Sequence, residues 1–170
     1  ELFRELSIET SEFVEQDIEI TEAINIDEHL FELSQHKVFV IVDDNEVNRI
    51  VACELLKHIN ETIELVEAED GKDALTKLMQ LPNNKQPLVL MDCQMPELDG
   101  YQATKAIRSG ECGEQLAESI IIAMTADVMD SDKQLFEQAG MNDFIAKPLN
   151  IDDFKQVLLK WLTIMTKVSH

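Results

Sequence analysis

The feature that most constrains this chain is an alternation that begins at Val38: short apolar runs, each followed by a segment of helical period. The runs are "VFVIVDD" (38–44), "TIELVEA" (62–68), "QPLVLMD" (86–92), "SIIIAMT" (119–125) and "DFIAK" (143–147). Successive apolar, often β-branched positions suit strands covered on both faces. Between them, "EVNRIVACELLKHI" (46–59) places Val47, Ile50, Val51, Leu55 and Ile59 on one helical face. "DGKDALTKLMQ" (70–80) opens on Asp70, a good N-cap, and puts Ala74, Leu75, Leu78 and Met79 on one face. Asp99 is placed to cap a helix through Ile107, with Gly110 to Gly113 as its exit, and a polar-faced helix near 131–138 stops at Gly140. "NIDDFKQVLLKWLT" (150–163) turns Ile151, Phe154, Val157, Leu158, Trp161 and Leu162 inward. Five strands alternating with five helices imply right-handed crossovers, hence an α/β fold with a doubly wound parallel sheet. The reactive edge of such a sheet lies outside the carboxyl ends of its strands.

At those ends the first run finishes in Asp43–Asp44, the third in Asp92, the fourth in Thr125 and the fifth in Lys147. Acids gathered this closely repel one another and raise each other's pKa. A divalent cation relieves that, and Mg²⁺ suits oxygen ligands while keeping several waters. Lys147 adds a fixed positive charge near Asp92. A carboxylate in such a place can act as a nucleophile, and phosphoryl transfer needs mainly positioning and charge neutralisation. Mg²⁺, Lys147 and the Thr125 hydroxyl each suit one phosphoryl oxygen.

Residues 1–36 break the pattern. They carry eleven acids and one base, half of the formal charge of −20. Leu2, Phe3 and Leu6 suit a helical stripe, while Ile18, Ile20, Ile24 and Ile26 alternate loosely like a strand. The segment reads as an acidic linker or docking segment, ahead of a domain over 37–165 and a tail over 166–170. A polyanion of this kind repels nucleic acid and anionic membrane surfaces. No apolar run spans a bilayer, and there is no basic-then-apolar signal peptide, so a cytoplasmic location is expected. The chain begins at Glu1, as an excised piece of a longer protein would. Cys53, Cys93 and Cys112 lack metal-ligand spacing and read as reduced thiols, Cys93 as a packing residue. His29, His36, His58 and His170 read as surface residues, so the phosphodonor is another domain or protein.

"IVDDNEVNR", "LVLMDCQMPELDGYQ", "IIIAMTADV" and "DFIAKPL" resemble, in order and placement, the receiver domain of two-component response regulators. The wording is most similar to receivers at the C-terminus of hybrid sensor histidine kinases. The resemblance covers about residues 37–165 and implies the flavodoxin-like receiver fold, with strand order 2-1-3-4-5. It implies Asp92 as phosphoacceptor, with Mg²⁺ held by Asp43, Asp44, Asp92 and the backbone carbonyl of Gln94. Lys147 would pair with the phosphoryl group, Thr125 would hydrogen-bond it, and the bond before Pro148 would be cis. Thr125 and Phe144 would form the switch, Phe144 rotating inward into space that Thr125 vacates. Gln94 and Asp127 would flank the path of attacking water. The partners implied are a histidine kinase or histidine phosphotransfer domain, and a downstream protein on the face of the fourth helix, fifth strand and fifth helix. Such a domain promotes only its own phosphorylation and dephosphorylation. A stand-alone relay regulator and a phosphate-independent docking module are the other readings. An aspartate-nucleophile phosphatase would need an acid where Gln94 stands.

Overall fold

The computed structural model describes residues 25–168. A helix over 25–34 (α1) leads into β1 (Val38–Val42), and then α2 (Glu46–Ile59), β2 (Glu64–Ala68), α3 (Gly71–Met79) and β3 (Pro87–Asp92) follow. The second half is α4 (Gly100–Arg108), a short 3₁₀ turn (Glu114–Leu116), β4 (Ile120–Thr125), α5 (Asp130–Ala139), β5 (Asp143–Ala146) and α6 (Ile151–Val168). The five strands form one parallel sheet in the order β2-β1-β3-β4-β5, as the motifs implied. The register aligns Val42 with Met91 and Asp92 with Met124, so the strands end at one level.

β1 and β3 are buried at every position because helices cover both faces of the sheet. Asn45, Asp70 and Asp99 cap α2, α3 and α4 through side-chain oxygens, and Gly140 closes α5 at φ 93. One face packs Val40, Val89 and Ile121 under α3, α4 and α5, with Phe136 of α5 in the same cluster. The other packs Phe39, Ile41, Leu90 and Ile122 under α2, α6 and α1.

Several local readings change. In α2 the buried residues are Ala52, Cys53 and Leu56, whereas Val47, Ile50 and Val51 are 65, 51 and 41 % exposed. The helix carries two apolar stripes, and the small Ala52 and Cys53 turn toward the sheet. Met79 at the end of α3 is exposed, and Trp161 is half-buried with its indole N–H donating to Asp143 at 2.8 Å. Ile26 sits in a helix and packs against the core, so its strand-like alternation is overturned. Leu30 in the same helix is fully buried among Leu56, Phe154, Leu158 and Leu162. Asp27 pairs with Lys155 at 2.6 Å, while buried Ser34 accepts from Asn60 at 3.1 Å. α1 therefore belongs to the packed core. Leu2, Phe3, Leu6, Ile18, Ile20, Ile24 and His170 lie outside the described residues.

Candidate functional site

The loops that leave β1 and β3 build the site. β1 ends at Val42, and the chain turns at once into the Asn45 cap of α2, presenting Asp43 and Asp44 at the sheet edge. Asp43 is fully buried and held from several sides. Its Oδ1 accepts from the Asn45 amide at 2.9 Å and from the Asn48 side chain at 3.3 Å. Its backbone carbonyl accepts from Arg49 at 2.8 Å. Asn45, Asn48 and Arg49 are thus positioning residues that sequence reasoning did not single out. Their signal was present in "DDNEVNR", where the α2 cap doubles as the Asp43 support.

Asp92 is the last residue of β3 and is 6 % exposed. The loop after it folds back so that the Gly100 amide donates to the Cys93 carbonyl at 3.2 Å. A Cβ on Gly100 would collide with the backbone carbonyl of Asp92 and lie 3.0 Å from Cys93 Cα. Only glycine lets α4 start this close to the strand tip. That contact explains a glycine eight residues after the acid.

Asp43, Asp44 and Asp92 place ligand oxygens within 4.8 Å of one another. Lys147, 104 residues from Asp43 in sequence, sends its ammonium between the two buried acids, 2.6 Å from Asp43 Oδ2 and 3.1 Å from Asp92 Oδ1. Burial and then the neighbouring Asp43 push the Asp92 carboxyl above its usual range, with Lys147 only partly opposing them. Burial draws the Lys147 pKa down, but its bonds to Asp43 and Asp92 outweigh that and raise it. Three carboxylates and one ammonium leave an excess of two negative charges. Hard oxygen donors with that excess fit a divalent cation such as Mg²⁺.

The remaining expected residues lie around this cluster. Gln94 is exposed, and its backbone N–H donates to Asp92 Oδ1 at 3.4 Å. Thr125 ends β4, but its hydroxyl donates to the Asp127 carbonyl at 2.9 Å and accepts from the Asp127 amide at 3.2 Å. Phe144 is half-buried in β5 and stacks on Phe136, and the Lys147–Pro148 peptide bond is cis. Cys93 is buried away from water, which pushes its thiol up to about 11. His29, His36 and His58 are exposed. Among the described residues no helix is long and apolar enough to cross a membrane.

A family model described as the response regulator receiver domain matches residues 39–159. Hybrid signal transduction histidine kinase A of Dictyostelium discoideum is 40 % identical over 125 residues, 74 % of this chain and 6 % of that protein. The chain spans 6 to 14 % of the length of the first curated relatives it matches. One similar solved structure is the receiver domain of a Pseudomonas aeruginosa sensor histidine kinase with a magnesium ion coordinated in its active site cleft. It is 32 % identical at TM-score 0.63, covering 75 % of this chain and 98 % of that one. Another is the receiver domain of the Saccharomyces cerevisiae response regulator Ssk1, co-crystallised with the histidine phosphotransfer protein Ypd1. It is 27 % identical at TM-score 0.65, covering 76 % of this chain and 90 % of that one.

Proposed function

The chain belongs to the response regulator receiver family of two-component phosphorelays, and from that premise we propose that Asp92 takes a phosphoryl group from a phosphohistidine. The observation that carries this is a buried carboxylate at a strand tip with an ammonium 3.1 Å away and two further acids beside it. One Asp92 oxygen attacks phosphorus, the P–N bond of the donor breaks, and its electron pair returns to the imidazole nitrogen. The product is an aspartyl phosphate. Asp43, Asp44, Asp92 and the Gln94 carbonyl would hold Mg²⁺, which supplies positive charge against the phosphoryl oxygens. Lys147 already touches Asp92, so its ammonium meets the incoming group without reorganisation. Thr125 must release Asp127 to reach a phosphoryl oxygen, and Phe144 then moves into the vacated space.

The donor is a histidine kinase or histidine phosphotransfer domain. Exposed Val47, Ile50 and Val51 on α2 begin three residues beyond Asp44 and offer it an apolar docking stripe beside the acids. The phosphorylation-sensitive face is formed by α5, β5 and α6. The parent protein is a cytoplasmic or membrane-anchored hybrid histidine kinase, and the acidic residues before α1 link the receiver to it or dock on it.

Intact mass after incubation with acetyl phosphate, with and without Mg²⁺, tests the chemistry. A gain of one phosphoryl group that needs both Mg²⁺ and Asp92 is the expected result. A gain that persists in Asp92→Asn would remove Asp92 from its role.

A further inference from the structure

Three aromatic rings from three elements stack beside the site. Phe136 of α5 is 3 % exposed and lies between Tyr101 of α4 and Phe144 of β5. The centroid separations are 6.0 Å to Tyr101 and 5.5 Å to Phe144, with ring planes 21° and 25° apart. These separations fall where offset stacking is attractive. The far ring packs on the core cluster that holds Cys93, the residue after Asp92. Lys133, one turn before Phe136, places its ammonium 6.0 Å from the Phe144 ring centre. This stack coexists with a Thr125 hydroxyl engaged by Asp127. It therefore belongs to the arrangement in which Thr125 has not turned to the phosphoryl group.

We propose that Phe136 is a positioning residue of the switch, clamping Phe144 through ring stacking in the resting arrangement and so setting how readily the phosphoryl-bound arrangement is reached. The proposal rests on the reading of Thr125 and Phe144 as the switch pair. A phosphoryl group at Asp92 must outbid the Phe136–Phe144 contact before Phe144 can leave it. The apparent affinity for a phosphoryl mimic is reduced by the fraction of molecules held in the clamp. Tyr101 adds to the clamp, because a Phe136 ring that followed Phe144 would have to give up its stack on Tyr101.

Binding of beryllofluoride with Mg²⁺, followed by fluorine NMR on the full chain, provides the test. Phe136→Leu keeps an apolar side chain and removes the ring. Its beryllofluoride dissociation constant is expected to fall by about two- to tenfold, the range one aromatic pair spans. In a Phe144→Leu background the same change at Phe136 is expected to do nothing, because no ring remains to be clamped. Unchanged or weaker binding in Phe136→Leu overturns the proposal, as does an equal gain in the Phe144→Leu background. If thermal melting shows that Phe136→Leu does not fold, Phe136→Met makes the same measurement with a more adaptable side chain. A wild-type chain that binds no beryllofluoride, or an Asp92→Asn variant that binds it equally, overturns the site reading itself. Normal wild-type binding with indifferent Phe136 variants overturns the clamp alone.

Discussion

At the scale of single residues, the site places charge where the fold would be more stable without it. Asp92 is buried and its pKa is raised, first by burial and then by Asp43. The stability associated with its neutral form is fully present below the unfolded value of about 3.9 and is lost as the pH rises through the raised folded value. Asp92→Asn in chelator should therefore be more stable than wild type at pH 7, on the order of 1 kcal/mol. The gap should close as the pH falls below about 4. Urea unfolding across that range checks it, and a variant less stable than wild type at neutral pH would contradict the electrostatic account. Lys147 keeps its 2.6 Å partner Asp43 in that variant, so no buried ammonium is orphaned. Gly100 makes a second case. Alanine is ordinarily the better helix former, but here its Cβ meets the backbone of Asp92 and Cys93. Gly100→Ala should cost about 1–3 kcal/mol and slow phosphorylation of Asp92, since neither neighbour is a side chain that can swing aside. Equal unfolding midpoints would show that the loop yields.

Elements differ in how far their neighbours can be read from their own residues. The strands were legible because burial on both faces writes itself as an uninterrupted apolar run, whatever the partners are. α2 was legible as a helix but not in its orientation. Its stripe of Val47, Ile50 and Val51 is bulkier than the Ala52, Cys53 and Leu56 that pack on the sheet, and close helix–sheet approach favours the smaller set. α1 was missed. Ile26, Leu30 and Leu33 recur at helical spacing, but a ten-residue segment is a marginal helix without tertiary contacts. Those contacts come from Leu30, Ile26 and Leu33 on the α2 and α6 side of the core. Leu30→Ala should destabilise the whole domain by about 2–5 kcal/mol, the usual cost of emptying a fully buried leucine site. A change below about 0.5 kcal/mol in denaturant unfolding would mean that α1 is only a surface appendage.

For the molecule as a whole, a formal charge of −20 on 170 residues sets the background against which the site works. Monovalent salt should raise the melting temperature gradually by screening that repulsion, without saturation at a defined stoichiometry. Mg²⁺ should add a second, saturable rise that follows ligand linkage, about 2.7 kcal/mol at a hundred times its dissociation constant. Asp44→Asn should remove much of the second rise and leave the first, because Asp44 is the exposed member of the acid cluster. A Mg²⁺ response identical in that variant would assign the ion to diffuse screening. By itself the sequence determined the alternation of strands and helices, the caps at Asp70 and Asp99, and the acids, hydroxyl and lysine at the strand tips. These are local properties, fixed by side-chain period and by residue type at the end of each run. Only the tertiary structure decided which groups meet. It put Lys147 between Asp43 and Asp92, turned Thr125 to Asp127, stacked Tyr101 and Phe144 on Phe136, and brought α1 into the core. Most of those partners are far apart in the chain, so their meeting depends on how whole elements pack, which no short stretch of sequence encodes.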